Sequence, residues 1–516
     1  MKVRYLQNNT NSASAMAQSP SVVQKVVAKL KKDVFVYGPA IIIPALLGMV
    51  NIIVFTRVFD PSDYGQYAIV LSTILFVSTL ITQWIQQSIQ RYRPVYKESN
   101  GLIEFDRNLQ SLLAMMTYGA LLFLLLAPIS KLLFGLNLIL YLTVILIVIT
   151  QMLFVLMSTI LQSDYRAGEY RRFNLINAIL KSALSLLIVF FVQKSTDSIF
   201  LGILLAQLIV LVPMMRTTGY KAIFSLRLTL QSKQFIKMFV QYGFPMIGWF
   251  IGNSLLNLVD RYMLGYYHSA QEVGIYTATY SVVSASIGLF CTPLLMAAHP
   301  IIMNTATTSD DKEIQRIISV FSKVYLLIIF PIFIYLTVVR SDVTSFLLGD
   351  EYQVGSSILP YMMFGLIMWN FGMYGHKGFE IKNKTRTMLM FVICCVVVNV
   401  GLNVLLIPKY AYHGAAIAST ISLTVYPVCV YLFSSKTIQW KMNVRSLLSI
   451  FSSSMVAAIG TYFIRFYLGA VDIVNLVVCG FAFLIMYLVG LSLLKEINLN
   501  KLVRVNMKNR LRSVEK

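Results

Sequence analysis

The sequence predicts an all-α integral membrane protein with about fourteen transmembrane helices, and three observations support this fold class. The 516-residue chain is 57% hydrophobic and only 12% charged, whereas soluble domains carry about 25% charged residues. About fourteen apolar runs each approach the roughly 20 residues that a helix needs to cross the hydrocarbon of a bilayer. Basic residues are concentrated in alternate connections, as is typical of multi-pass proteins.

The apolar runs set the predicted spans and leave only short connections between them. Because no connection is long enough to fold as a domain, the sequence argues against a soluble catalytic domain on either side of the membrane. The predicted spans are 35–57, 65–85, 109–128, 138–161, 173–193, 198–215, 239–266, 274–300, 319–339, 354–375, 387–408, 412–434, 446–467 and 472–494.

The Lys and Arg residues predict the orientation of the chain. Of the 43 basic residues, 35 lie in the two tails and in the connections that share a side with the N-terminus, and seven lie on the opposite side. Cytoplasmic segments of membrane proteins carry such an excess, so both termini are predicted to be cytoplasmic. The same bias accounts for the net charge of +22 without a nucleic-acid partner.

An internal repeat relates the two halves of the chain. The stretch at 37–67 can be aligned with the stretch at 242–276, and two further matches follow it, which gives three anchors in register. The matched positions are Tyr37–Gly38 with Tyr242–Gly243, Arg57 close to Arg261, Gly65–Tyr67 with Gly274–Tyr276, Gly135 with Gly349, and, 37 residues after those glycines, Arg172 with Arg386.

The repeat predicts two six-helix lobes followed by two appended helices. Because six is an even number, both lobes enter the membrane in the same sense, which predicts a pseudo-two-fold axis along the membrane normal and a substrate path between the lobes. Within the first segment, SVVQKVVAKLKK suits either a helix on an anionic membrane surface or a plain basic tail. The predicted domains are a basic, amphipathic N-terminal segment at 1–34, an N-lobe at 35–216, a cytoplasmic linker at 217–238, a C-lobe at 239–434, helices 13 and 14 at 446–494, and a basic cytoplasmic tail at 495–516.

Several motifs at the repeat anchors carry a family resemblance. They are TRVFDPSDYGQY, LVDRYMLG with EVGIYTATY, FLLGDEY and LLIPKYAYHGAAIASTIS. Together they resemble the polysaccharide transporter branch of the MOP superfamily, which includes Wzx-type O-antigen and capsule flippases. The resemblance implies a bacterial inner-membrane flippase that turns an undecaprenyl-pyrophosphate-linked oligosaccharide from the inner to the outer leaflet.

The lipid II flippases of the same superfamily provide a second expectation. They have fourteen helices, and their last two help to form a groove for the lipid tail, which suggests that role for helices 13 and 14 here. They also carry several arginines inside the first helix. In this chain the first span has only Asn51 inside it and Arg57 at its outer end, which argues against lipid II as the substrate.

A lipid-linked sugar makes separate demands on the protein, and the first is a cation for its pyrophosphate. Arg57 and Arg261 are predicted as a symmetric pair of pyrophosphate contacts, one from each lobe. Lys181 lies nine residues after Arg172, about 13 Å along a helix at 1.5 Å per residue, which places it near the bilayer centre. The alternative for the two arginines is that they snorkel to the interface with Asp60 and Asp260 as partners.

Asp260 allows two interpretations. It can neutralise Arg261, so that the pair costs less to bury than either charge alone, or it can bind the Na⁺ or H⁺ that couples ion flow to flipping. No other cofactor and no metal site are predicted. Lys377 and Arg386 follow the tenth span on the cytoplasmic side, where an incoming pyrophosphate would meet them first, although the positive-inside rule also explains them.

The sugars require amides, hydroxyls and aromatic faces inside the bundle. Asn253, Asn257, Trp369 and Asn370 lie within predicted spans and are candidates for glycan contacts. Polar groups in membrane helices also serve as interhelical hydrogen bonds. The predicted partners are a lipid-linked oligosaccharide, membrane lipids and the polysaccharide polymerase machinery.

Two other function classes compete with the flippase hypothesis. A multidrug exporter of organic cations would need buried carboxylates, and Asp260 is the only acidic residue well inside a predicted span. A membrane glycosyltransferase or polymerase would need an acidic site on a sizeable outer loop, and the longest, at about 340–353, is short. The sequence lacks a GxxxxGK[ST] loop, so ATP is not predicted as the direct energy source.

Overall fold

The structure, a computed structural model, describes residues 42–126, 137–220, 230–306, 309–468 and 473–496. Within these ranges every regular element is a helix, which confirms the predicted all-α class. The N-terminal segment at 1–34, the anchors Tyr37–Gly38 and Gly135, and residues 497–516 of the predicted tail lie outside the described residues.

The described helices follow the order of the predicted spans. Short 3₁₀ helices also occur at Phe123–Leu126, Asp350–Ser357 and Ser434–Lys436. The α-helices are α1 Ile42–Val58, α2 Pro61–Glu98, α3 Leu102–Leu122, α4 Leu138–Ser163, α5 Ala167–Phe191, α6 Thr196–Thr218, α7 Leu230–Tyr267, α8 Ala270–Ala306, α9 Asp311–Val338, α10 Arg340–Leu347, α11 Leu359–Gly375, α12 Lys377–Ile381, α13 Thr385–Phe433, α14 Val444–Leu468 and α15 Ile473–Leu493.

Length and hydropathy support many membrane spans. In the described part of the chain nine helices are long and apolar enough to cross a bilayer, or ten if the pair Asp350–Ser357 and Leu359–Ile381, bent by 61°, forms one span. Helix α13 contains the two predicted spans 387–408 and 412–434 as two arms that meet at Ala411, which has a positive φ of 48°. The protein is therefore a multi-pass membrane protein, and the number fourteen remains a prediction.

The FDPSD segment begins α2, as ordinary turn chemistry predicts. Asp60 is the N-cap, and its carboxylate accepts a hydrogen bond of 2.8 Å from the backbone N–H of Asp63. Pro61 occupies the first turn, where its missing N–H costs nothing. The two carboxylates in this segment therefore start a helix.

Two repeat-equivalent glycines bring the lobes together where α2 and α8 begin. A Cβ on Gly65 would lie 1.8 Å from the carbonyl oxygen of Ala270, and a Cβ on Gly274 would lie 1.9 Å from the carbonyl oxygen of Pro61. Pro61 precedes Gly65 by four residues, as Ala270 precedes Gly274, so the two contacts are reciprocal, as across a two-fold axis. Only glycine lets the two backbones approach this closely.

Helix α7 connects the lobes along its length. It begins at Leu230, so residues 230–238 of the segment predicted as a linker are helical. Phe235 and Phe239 near its start are buried in the N-lobe core, whereas its later residues pack against α13 in the C-lobe. Helix α7 therefore contributes to the packing of both lobes.

The appended helices α14 and α15 pack on the C-lobe through α9. Arg465 of α14 forms an ion pair of 2.6 Å with the buried Asp342 of α10. At the opposite end, Glu496 after α15 forms an ion pair with Lys323 of α9. These contacts make the appended pair an extension of one lobe.

Candidate functional site

A polar cavity lies inside the C-lobe, between α7, α8, α11 and α13. Its volume is about 250 Å³. Most of its polar lining comes from amides, hydroxyls and one carboxylate next to one guanidinium. We call it the C-lobe cavity, lined by Asn253, Leu256, Asn257, Asp260, Arg261, Tyr276, Tyr280, Ser284, Leu366, Trp369, Asn399, Ser419, Ser422 and Leu423.

Asp260 of α7 is the centre of the hydrogen bonding in the C-lobe cavity. Its side chain is buried, and four donors from two other helices converge on its carboxylate. The Tyr276 hydroxyl of α8 donates at 2.5 Å, and the Asn403 and Asn399 amides of α13 donate at 2.6 and 3.1 Å. The Ser419 hydroxyl, from the second arm of α13, donates as well. Asp260 therefore holds α7, α8 and both arms of α13 together.

Arg261 is held by different partners. Its Nε donates to the Thr277 hydroxyl at 3.1 Å, and its Nη1 donates to the Asn257 carbonyl at 2.8 Å. Its guanidinium carbon lies 5.4 Å from the centre of the Tyr280 ring, within the range of a cation–π interaction. The guanidinium is thus fixed against the wall of the cavity.

Asp260 and Arg261 line the same cavity, but their charged groups do not meet in a direct ion pair. Among the described ion pairs none joins these two residues. The reason is geometric, because consecutive residues of an α-helix point about 100° apart and do not face each other. Both charges line one cavity as separate groups.

Three of the four candidate glycan residues line the C-lobe cavity, namely Asn253, Asn257 and Trp369. The fourth, Asn370, donates to the carbonyl of Leu366 in its own helix at 2.8 Å and is not part of the lining. The Trp369 ring packs against Trp249 and Tyr426, with ring centres 6.2 and 4.5 Å away. The cavity therefore presents amides beside an aromatic face.

Arg57 lies apart from the C-lobe cavity, at the end of the bundle where α1 ends. Its side chain is exposed and Nη2 donates to the Phe346 carbonyl of α10 at 2.8 Å. Nearby, the Gly349 N–H donates to the Thr56 hydroxyl at 3.2 Å, and the Tyr352 hydroxyl donates to the Phe59 carbonyl at 2.9 Å. These three bonds join the lobes at this end.

Arg57 and Arg261 occupy different depths although the repeat makes them approximate equivalents. Arg57 lies eight residues before Gly65, whereas Arg261 lies 13 residues before Gly274. Arg261 is therefore more than one helical turn deeper. They share no partner in the described residues, so the structure does not bring them together as a clamp.

Lys181 lies on α5 in the N-lobe and is half-buried. Its Nζ donates to the Gln151 side-chain oxygen of α4 at 3.1 Å. The three basic residues predicted to contact pyrophosphate thus occupy three environments.

Lys377 and Arg386 differ in their surroundings. Lys377 begins α12, and its Nζ forms bonds of 2.5 Å to the Glu380 carboxylate and 2.9 Å to His299 Nδ1. Arg386 is exposed in the first turn of α13. Lys377 is therefore already engaged in an ion pair, and Arg386 is the more accessible cation.

The site contains residues whose partnership the sequence pattern did not reveal. Asn399 and Asn403 are recognisable as amides inside a predicted span, and their spacing of four residues places them on one helix face. That spacing could have indicated a shared target. Tyr276 and Ser419 reach Asp260 from other helices, and no local signal could have identified them.

The fold and the cavity define a class of protein. Two repeated lobes of membrane helices, with a polar cavity enclosed in apolar surroundings, form the architecture of the MOP superfamily of transporters. The chain belongs to the polysaccharide biosynthesis protein family, whose family model matches residues 30–306, more than half of the chain. A second family model, MatE, matches residues 245–405. The resemblance found in the sequence motifs is thereby confirmed.

Two relatives are flippases of Haloferax volcanii. The probable low-salt glycan biosynthesis flippase Agl15 is 22% identical over 195 residues, which cover 37% of this chain and 41% of the relative. The probable flippase AglR is 21% identical over 307 residues, which cover 58% of this chain and 62% of the relative. The matches thus span less than two thirds of either relative.

Solved structures agree with the fold. The chain resembles the lipid II flippase MurJ in an inward closed conformation with a TM-score of 0.74 at 16% identity, covering 89% of this chain and 98% of that structure. It resembles the MATE multidrug transporter DinF-BH with a TM-score of 0.58 at 15% identity, covering 80% and 96%. The relatives and structures named here are flippases or transporters, which supports the prediction that the chain is not an enzyme.

Proposed function

We propose that the protein is a flippase for a lipid-linked oligosaccharide. The carrier is undecaprenyl pyrophosphate, and the glycan is a repeat unit of O-antigen, capsule or exopolysaccharide, moved from the inner to the outer leaflet of a bacterial inner membrane by alternating access. The observation that carries the proposal is the C-lobe cavity, which places amides, hydroxyls and an aromatic face inside a membrane protein of the polysaccharide biosynthesis family. Such groups recognise sugars.

The size of the cavity sets what it can accept in this state. Its volume of about 250 Å³ falls just below the range of about 300–1,000 Å³ typical of small-molecule pockets. One sugar ring at Asn253, Asn257 and Trp369 is a reasonable occupant, and a whole repeat unit is not. The remainder of the glycan then occupies the path between the lobes after they separate.

The charged residues complete the proposal. Arg261 and Lys181 contact the pyrophosphate, and Arg57 contacts it only in states where its bond to the Phe346 carbonyl is broken. Asp260 is the site at which Na⁺ or H⁺ couples to flipping, because its buried carboxylate, which four O–H and N–H donors contact in this state, can exchange those donors for either ion. Arg386 and Lys377 meet the substrate on the cytoplasmic side, which is also the side of both termini, and the polymerase machinery receives the product.

The test is a deletion strain in which the leaflet holding the lipid-linked glycan is measured. Build-up in the inner leaflet, reversed by the wild-type gene, is the expected result. The competing function is a multidrug exporter, favoured by the MatE match at 245–405 and by the buried carboxylate of Asp260. A normal glycan distribution together with increased drug sensitivity would support the exporter and exclude the flippase.

A further inference from the structure

The ammonium of Lys181 contacts a side-chain amide and has no carboxylate partner among the described residues. Its ammonium donates to Gln151 Oε1 at 3.1 Å, and in the part of the chain that the structure describes no ion pair includes Lys181. A charged ammonium in the membrane interior is costly and is usually functional. The described part of the N-lobe therefore holds a cation that no carboxylate there neutralises.

The amides form a chain across three helices. Gln207 of α6, which is fully buried, donates from Nε2 to the same Gln151 oxygen that accepts from Lys181. Gln207 Oε1 in turn accepts from the Thr150 hydroxyl of α4 at 2.5 Å. Helices α4, α5 and α6 are thus linked by one continuous set of hydrogen bonds.

Lys181 determines the direction of every bond in this chain. An ammonium only donates, so the Gln151 atom that faces it must be the oxygen. The Gln207 atom that faces that oxygen must then be the nitrogen, which leaves the Gln207 oxygen for Thr150. The charge at one end therefore fixes the orientation of both amides.

We propose that Gln151 and Gln207 are positioning residues that hold Lys181 as an uncompensated cation for the diphosphate group of the lipid carrier. Gln207 orients the Gln151 oxygen, and Gln151 directs the ammonium. This inference rests on the proposed function and names the part of the N-lobe that binds the anion. An amide dipole steadies a cation without cancelling its charge, whereas a carboxylate at the same place would compete with the diphosphate.

A single substitution separates this role from simple interhelical bonding. Gln151 uses only its oxygen in the two bonds described, and that oxygen only accepts. Gln151→Glu retains an acceptor for both donors and changes only the charge. A structural role would survive this substitution, while a role in keeping Lys181 uncompensated would not.

The experiment measures binding of farnesyl diphosphate to the full-length protein in lipid nanodiscs, with farnesol as the control for the apolar tail. We expect Q151E to bind farnesyl diphosphate roughly tenfold or more weakly than the wild type, with an unchanged or higher thermal midpoint. Gln162→Glu, an exposed position on the same helix, is the matched control and should bind as the wild type does. Gln207→Leu should weaken binding by about threefold, because Gln151 loses its orienting partner.

Farnesyl diphosphate binding by Q151E equal to that of the wild type would overturn the proposal. Equal weakening in Q162E would overturn it too, because the effect would then follow the charge of the lobe instead of the contact with Lys181. Flipping of the lipid-linked glycan by the wild type is measured separately. Diphosphate binding that depends on Gln151, in a protein that moves no glycan, would refute the proposed function and leave this inference standing.

Discussion

The N-lobe and the C-lobe are built on one repeat but contain opposite polar chemistry. In the C-lobe, a carboxylate and a guanidinium, Asp260 and Arg261, line one cavity and receive or donate many hydrogen bonds. In the N-lobe, Lys181 donates to the Gln151 amide oxygen of α4, which also accepts from Gln207 of α6. The two lobes align in the predicted repeat, and their charged groups differ.

The contact between the lobes is symmetric, whereas the polar groups inside the two lobes differ. Gly65 and Gly274 make reciprocal backbone contacts with the other lobe, and a change in either would separate the same pair of helices. The proposed substrate joins an anionic diphosphate to a glycan and is itself asymmetric. Two lobes of unlike chemistry suit such a substrate, because Lys181 and Arg261 can contact the diphosphate while the amides of the C-lobe cavity contact the glycan.

The largest expected effect follows from removing the charge of the C-lobe carboxylate. Asp260→Asn should reduce glycan transport by about 100-fold and abolish its dependence on a Na⁺ or H⁺ gradient. The substitution replaces one acceptor oxygen of the carboxylate with an NH₂ donor. Buried donors then face this NH₂ group, at a cost of about 1–3 kcal/mol. Transport by reconstituted protein, with and without each gradient, measures the effect.

A buried acid elsewhere in the C-lobe provides the control for that substitution. Asp342→Asn weakens the ion pair with Arg465 and should lower the thermal stability while gradient dependence persists. If Asp260→Asn retained the full response to a gradient, Asp260 would be a structural residue, and the chemical difference between the lobes would lie in Arg261 alone.

The symmetric contact can be broken by one methyl group. Gly274→Ala places a Cβ 1.9 Å from the Pro61 carbonyl oxygen, so α2 and α8 must separate, at a cost of about 2 kcal/mol. We expect a lower thermal midpoint in detergent. Gly288→Ala on the same helix, where a Cβ meets nothing within 4 Å, is the control and should leave the thermal midpoint unchanged. An equal fall in the midpoint of both variants would show that the contact between the lobes is unimportant.

The features that the sequence predicted well are those encoded in local patterns. Apolar runs predicted the helices, the repeat anchors at Gly65 and Gly274 predicted equivalent positions, and FDPSD predicted a helix start. Membrane helices satisfy their backbone hydrogen bonds internally, so their existence depends on little beyond the run itself. The all-α fold was therefore accessible from the sequence.

The candidate site was only partly accessible. Asp260, Arg261, Asn253 and Asn257 were found because polar groups are unusual inside an apolar span. Their partners depend on which helices meet and on which face, and consecutive charges that appear to be a pair in the sequence point apart in the helix. Gln151, which faces Lys181, was missed because nothing local relates α4 to α5.

The contribution of the C-lobe cation is expected to be intermediate. Arg261→Ala should reduce glycan transport by about tenfold, since a hydrogen bond to a charged group contributes about 1.5–3 kcal/mol. Membrane insertion should be retained, because the substitution removes a charge from an apolar helix whose backbone hydrogen bonds are internal. Arg340→Ala, an exposed arginine at the start of α10, is the control. Full transport by Arg261→Ala would leave Lys181 and Arg57 as the candidates for the diphosphate.

The smallest expected effect concerns the attachment of the appended helices to the C-lobe. Glu496 lies beyond the predicted span of α15. Burial raises the pKa of its carboxyl, but the bonds from Lys323 and Ser446 lower that pKa by more, so the net pKa is below the ordinary value of 4.5. A carboxyl whose pKa is lower in the folded state than in the unfolded state makes its full contribution to stability at pH values above the unfolded-state pKa. This contribution is lost as the pH falls through the folded-state pKa. The ion pair should contribute less than about 1 kcal/mol.

We therefore expect Glu496→Gln to lower the thermal midpoint at pH 6 and to have progressively less effect as the pH is reduced below 4.5. Thermal unfolding of both proteins across this range measures the difference, and Glu351→Gln at an exposed position provides the control. A difference that did not change with pH would mean that Glu496 acts through packing. The appended pair would then be attached to the C-lobe mainly through the Arg465–Asp342 ion pair and the apolar surface of α9.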